Sequence, residues 1–87
     1  MILSGRVQGV GFRHSMVRQA LKLGVTGWVR NLPDGRLEAL LQGRAADLEA
    51  MTQWCSKGPP LAVVRNIEVS WSLITGEERV QSFEIRF

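Results

Sequence analysis

With 87 residues the chain is long enough for one hydrophobic core and too short for two, and its apolar share of 45% is ordinary for a globular protein. The net charge of +3 is compatible with anionic ligands, but the 11 Lys and Arg residues are scattered and form no block that calls for nucleic acid or membrane. The single cysteine, Cys55, excludes an intramolecular disulfide and a Cys-rich metal site; no apolar run approaches the roughly 18 residues of a membrane span, no export signal opens the chain, and a cytoplasmic protein is expected.

Met1 to Val7 reads as a short first strand, with only Ile2 and Leu3 ahead of Ser4 and Gly5. It continues into Gly5-Arg6-Val7-Gln8-Gly9-Val10-Gly11-Phe12-Arg13, where three glycines allow positive φ angles and let backbone N–H groups approach a bound group. From Phe12 to Leu23 the residues Phe12, Met16, Ala20 and Leu23 recur on one helical face, and Gly24 is placed to end that helix in a left-handed cap. The first-turn N–H groups of this helix have no partner within it and share a space with the glycine loop, which makes that space attractive to an anion. Arg13 stands in the same turn, where a positive charge opposes the helix dipole unless something negative is also present. Its guanidinium offers a planar fork that matches two phosphate oxygens. The loop lacks a Lys-Ser or Lys-Thr pair and does not match the dinucleotide fingerprint, so on its own it specifies a small oxyanion and no more.

Val25 to Arg30 has the β-branched and aromatic character of a second strand, and Asn31-Leu32-Pro33-Asp34-Gly35 supplies a type I turn into a third strand, Arg36 to Gln42. Leu37, Ala39 and Leu41 share one face of it. From about Ala45 a second helix carries Leu48, Met51, Trp54 and Cys55 at spacings of three and four, and Gly58-Pro59-Pro60 stops it after Lys57. Ile67, Val69, Trp71 and Leu73 then alternate with Glu68, Ser70 and Ser72, which predicts a fourth strand there. After a loop around Gly76 to Glu78, Phe83, Ile85 and Phe87 alternate in a short fifth strand. The order βαββαβ plus a terminal strand forces an antiparallel central hairpin, and each β-α-β unit leaves room for one strand between its own two. The expected fold is α+β, a ferredoxin-like sandwich of one antiparallel sheet with both helices on one face, in one domain over residues 1–87.

At this point the residues carry a resemblance. Gly5-Arg6-Val7-Gln8-Gly9-Val10-Gly11-Phe12-Arg13 looks like the first signature of the acylphosphatases, and Gly27 through Asn31 and Gly35 to Gly43 looks like their second. Leu37 stands where valine is usual, a change on a buried face, and the segment ahead of Gly5 is shorter than usual. The resemblance implies hydrolysis of a carboxyl-phosphate anhydride to a carboxylate and inorganic phosphate, without metal or cofactor. It further implies that Arg13 and the backbone N–H groups of Gln8, Gly9, Val10, Gly11, Phe12 and Arg13 hold the phosphoryl group, while Asn31 positions the attacking water. Such a site is expected to take a small acyl phosphate as a monomer, with no nucleic-acid or membrane partner.

His14, adjacent to Arg13, points about 100° away on the helix and is expected to face solvent or to serve packing. Cys55 falls on the apolar helical face and is expected in the core, and Trp28, Trp54 and Trp71 are expected in the core or at its margin. A nucleic-acid module is disfavoured because the first and third strands, the ones expected at the centre, contain no aromatic residue. A carbamoyl-phosphate-handling module of a larger assembly remains an alternative, though a chain with no linker from Met1 to Phe87 is expected to act alone.

Overall fold

A computed structural model describes residues 1–73 and 79–87. The chain forms β1 (Ile2–Arg6), α1 (Phe12–Leu23), β2 (Thr26–Asn31), β3 (Leu37–Gln42), α2 (Ala45–Lys57), β4 (Val63–Glu68) and β5 (Phe83–Arg86). The strands build one sheet in the order β4-β1-β3-β2-β5. As expected for two interleaved β-α-β units, β3 lies between β1 and β2, and β1 lies between β3 and β4.

Both helix boundaries agree with the sequence reading, because each helix ends where glycine satisfies its last carbonyls. Gly24 takes φ 71° and donates its N–H to Ala20, and Gly58 donates to Trp54. The hairpin turn also follows its residues: Gly35 donates to the Leu32 carbonyl at 3.1 Å and Leu32 to the Arg36 carbonyl at 2.8 Å. Asp34 then accepts from the Arg36 backbone and pairs with its guanidinium, which holds its carboxyl below the usual carboxylate range.

The core lies between the helices and one sheet face. Leu3, Phe12, Met16, Ala20, Val29, Leu37, Met51 and Cys55 are each at most 1% exposed. Leu37 is fully buried, as its place in the second signature requires, and burial pushes the Cys55 thiol up to about 12. The Phe12 and Trp54 rings meet edge to face at 5.6 Å, joining the start of α1 to α2.

Three expectations are corrected. The sheet is mixed, because β5 pairs with β2 in parallel while the other three pairings are antiparallel. β4 runs antiparallel to β1, so the chain leaves it at the end of the sheet from which β2 starts, and after crossing to the far edge it enters β5 in the β2 direction.

The fourth strand precedes the alternating run at 67–73. β4 is an edge strand bonded only to β1, and that ladder stops with Ile2 opposite Glu68, so residues 69–73 meet no partner strand among the described residues. The register also skips Arg65, with Ser4 opposite Asn66 but Gly5 opposite Val64. One extra residue breaks the period of two, and Val64 and Ile67, three apart, both pack on the core. The bulge presses on Gly5, where a Cβ atom would lie 2.2 Å from the Val63 carbonyl oxygen. Gly5 therefore serves strand packing rather than the cradle. The loop expected around Gly76 to Glu78 lies outside the described residues.

The third correction concerns the tryptophans, of which only Trp54 packs against the core. Trp71 is 67% exposed, and Trp28 stands on the open sheet face between the Arg30 and Arg86 guanidinium groups, at 5.5 and 5.1 Å from its ring. Because β2 is an inner strand, the sheet does carry an interior aromatic, although two arginines already cover it.

Candidate active site

Strand direction decides which chain segments meet. β1 and β2 both run antiparallel to β3, and β5 runs parallel to β2, so β1, β2 and β5 finish at the same end of the sheet. That end therefore receives the glycine loop and the start of α1 after β1, Asn31 at the tip of β2, and Phe87 just past β5. The opposite end holds a cavity of about 280 Å³ lined by Met1, Leu41, Val69 and Trp71, and neither Asn31 nor any residue from Gln8 to Arg13 lines it.

In the loop, Gly9 and Gly11 take φ angles of 72° and 77°, in the left-handed region. A Cβ atom at either position would meet nothing within 4 Å, so glycine is needed there for its dihedral angles and not for space. The turn they make brings the chain into α1 with Gly11 as N-cap and no side chain capping the helix. Among the described residues no turn or loop hydrogen bond uses the N–H groups of Gly9, Val10 or Gly11. The N–H groups of Phe12 and Arg13 lie in the first turn, where the helix supplies no acceptor. Val10 and Phe12 are buried and anchor the loop from below, so the amides sit on a fixed base.

Arg13 is half-buried beside these amides, and the first turn of α1 contains no acidic residue. Among the described residues Arg13 makes no ion pair; its guanidinium carbon lies 5.4 Å from the Phe87 ring centroid. Arg30 of β2 stands opposite Arg86 of β5, which puts Phe87 level with Asn31 one step further along. Arg13 is thus held at the end of β5, next to the end of β2. Asn31 is paired through its backbone with Leu37 of β3, and its Oδ1 is buried with no hydrogen-bond partner among the described residues. An acceptor in that state carries a desolvation cost of about 1–3 kcal/mol that none of the described residues offsets.

The loop and the Asn31 hairpin are joined by Gln8. Its side-chain Nε2 donates to the Leu32 carbonyl at 2.9 Å and to the Arg36 carbonyl at 3.0 Å. The sequence reading uses only the backbone of this residue and misses this contact, as it misses Phe87 beneath Arg13; both links span the fold and leave no local pattern. His14 is exposed and Cys55 is fully buried, as expected for residues outside the chemistry. Among the described residues no three His, Cys, Asp or Glu side chains converge, and no helix is long and apolar enough to cross a membrane. The groups brought to this end of the sheet are main-chain amides, one guanidinium and one carboxamide, a set whose chemistry suits an oxyanion and a neutral donor molecule.

The chain as a whole is similar to known proteins. The solved acylphosphatase from Coxiella burnetii superimposes with a TM-score of 0.90 over 98% of this chain and 86% of that one, at 36% identity. HypF from T. kodakarensis contains a similar unit, with a TM-score of 0.79 at 32% identity over 99% of this chain but 12% of that one. The acylphosphatase of Anaeromyxobacter dehalogenans is 51% identical over the whole chain and 91% of its own length. With the Acylphosphatase family model matching residues 1–85 as well, the chain belongs to the acylphosphatase family.

Proposed function

We propose that this hydrolase of carboxyl-phosphate anhydrides works with three kinds of group: the amides of Gln8 to Arg13, the Arg13 guanidinium and the Asn31 carboxamide. The loop amides and Arg13 bind the phosphoryl oxygens, and charge that builds on those oxygens in the transition state meets donors that are already oriented. Asn31 Oδ1 accepts a hydrogen bond from the attacking water and aims its lone pair at phosphorus, in line with the departing carboxylate. The observation that carries this reading is the buried Oδ1, which meets no donor among the described residues.

An acyl phosphate expels a carboxylate whose conjugate acid has a pKa near about 4, so the leaving oxygen needs no proton at neutral pH. A guanidinium and a carboxamide are then sufficient, and the proton lost by water passes to a phosphate oxygen of the substrate. A phosphate monoester must expel a far more basic alkoxide and is expected to be a poor substrate. The reading is tested with benzoyl phosphate: wild-type protein should release phosphate, with inorganic phosphate as a competitive inhibitor, and p-nitrophenyl phosphate should turn over far more slowly. Equal rates on the two substrates would overturn it.

Identity is higher to the matched acylphosphatase, at 51%, than to the similar unit of HypF, at 32%, which favours hydrolysis of acyl phosphates over the carbamoyl-phosphate-handling alternative.

A further inference from the structure

We infer that the Gln8 side chain is a positioning residue: it sets the distance between the phosphoryl cradle and the water held by Asn31. The inference rests on the reading above, in which the two sites lie on different elements. The cradle follows β1, whereas Asn31 ends β2, and β1 and β2 are not neighbours in the sheet because β3 separates them. No ladder hydrogen bond therefore ties one site to the other. Gln8 does so, with one amide group.

The contact lies at the neck of the hairpin. Leu32 follows Asn31, and Arg36 precedes Leu37, which is Asn31's partner in the register. By donating one hydrogen to each of their carbonyls, Nε2 grips both arms just beyond Asn31 while its own backbone opens the cradle. Closure of the hairpin does not depend on this grip. The Leu32 carbonyl also accepts from Gly35 N–H and the Arg36 carbonyl from Leu32 N–H, so each keeps a partner without Gln8. What the side chain adds is the join between loop and hairpin. A shift of about 1 Å between reacting groups costs up to about a hundredfold in rate, while a seat made of loop amides and Arg13 keeps its affinity for phosphate.

The test uses Gln8→Met, which retains the length of the side chain without a donor, and Gln8→Glu, which regains one donor when its carboxyl is protonated. Folding is checked by circular dichroism. With benzoyl phosphate, kcat of Gln8→Met should fall about 10- to 100-fold, with the inhibition constant of inorganic phosphate changed by less than about twofold. In an Asn31→Ala background the same substitution should cost nothing further, since both act on the same water. The rate of Gln8→Glu relative to wild type should rise as pH falls through the carboxylate range. Unchanged kcat in Gln8→Met, parallel loss of turnover and phosphate inhibition, or a full additional loss in the Asn31→Ala background would each overturn the inference. If Gln8→Met does not fold, a pH-independent Gln8→Glu ratio overturns it alone. Full activity of Asn31→Ala by itself would instead defeat the reading on which the inference rests.

Discussion

Replacing Asn31 with alanine should remove nearly all turnover, leaving a measurable residual rate, while leaving the protein as stable as wild type or more so. Oδ1 is buried without a partner among the described residues, so the folded state carries about 1–3 kcal/mol of desolvation at this atom that those residues do not offset. Alanine removes that cost. It also removes side-chain contacts, but Asn31 is only half-buried at a strand end, and its backbone pairing with Leu37 is unaffected. Setting a contact loss of about 1 kcal/mol against the relief gives a net change between about zero and +2 kcal/mol. In a domain of this size, 1 kcal/mol moves the midpoint by about 4–8 °C, so Tm should stay level or rise by several degrees. The neighbour across the ladder provides the contrast, because Leu37→Ala empties a fully buried site and should cost about 2–5 kcal/mol. Thermal melts followed by circular dichroism, with kcat and phosphate inhibition measured on the same samples, complete the assay. A drop in Tm of several degrees for Asn31→Ala would mean that the carboxamide serves the fold, and retained kcat would mean that it does not hold the water; either result refutes the reasoning.

Arg13→Ala removes two charge-assisted hydrogen bonds of roughly 1.5–3 kcal/mol each, so kcat/KM should fall between about a hundredfold and ten-thousandfold, with phosphate inhibition weakened in step. Phe87→Ala takes away an exposed ring under Arg13, a contact of about 0.5–1 kcal/mol, and steady-state kinetics should show a rise in KM of about two- to fivefold. The rate should be flat from about pH 5 to 8 and unchanged in His14→Ala, whereas a basic limb near the histidine pKa that this substitution abolishes would move the proton to His14. The Cys55 thiol is raised from 9.0 to about 12 in the folded state. The unfolded chain therefore loses its proton first, and this contribution to stability is complete below pH 9 and lost as pH rises toward 12. Denaturation midpoints should fall over that window less steeply in Cys55→Ala, and a disulfide-forming thiol reagent should label native protein no faster than it unfolds.

Much of the fold could be read because its signals are local. A helix from Phe12 to Leu23 needs only the spacing of its apolar residues and Gly24, and the hairpin turn needs only Pro33 and Gly35 in their places. The reading fails where a distant strand decides. The alternation at Ile67 to Leu73 is as regular as that of a strand, but backbone pairs only where a neighbour lies alongside, and β1 reaches no further than Glu68. The true strand hides its pattern behind the extra residue at Arg65. Trp28 looks like a core residue by composition; its face of the sheet points away from both helices, where Arg30 and Arg86 cover it.

The same division holds for the candidate site. The sequence alone determined the loop, since Gly9 and Gly11 dictate their own dihedral angles, and it placed Arg13 at a helix start and Asn31 ahead of a turn. Only the tertiary structure decided that these pieces lie at one end of the sheet. That outcome follows from the shared direction of β1, β2 and β5, and from long-range contacts of Gln8 with the hairpin and of Arg13 with Phe87. Such contacts join residues far apart in the chain through groups that many sequences could supply, so they leave no periodic trace to be read in advance.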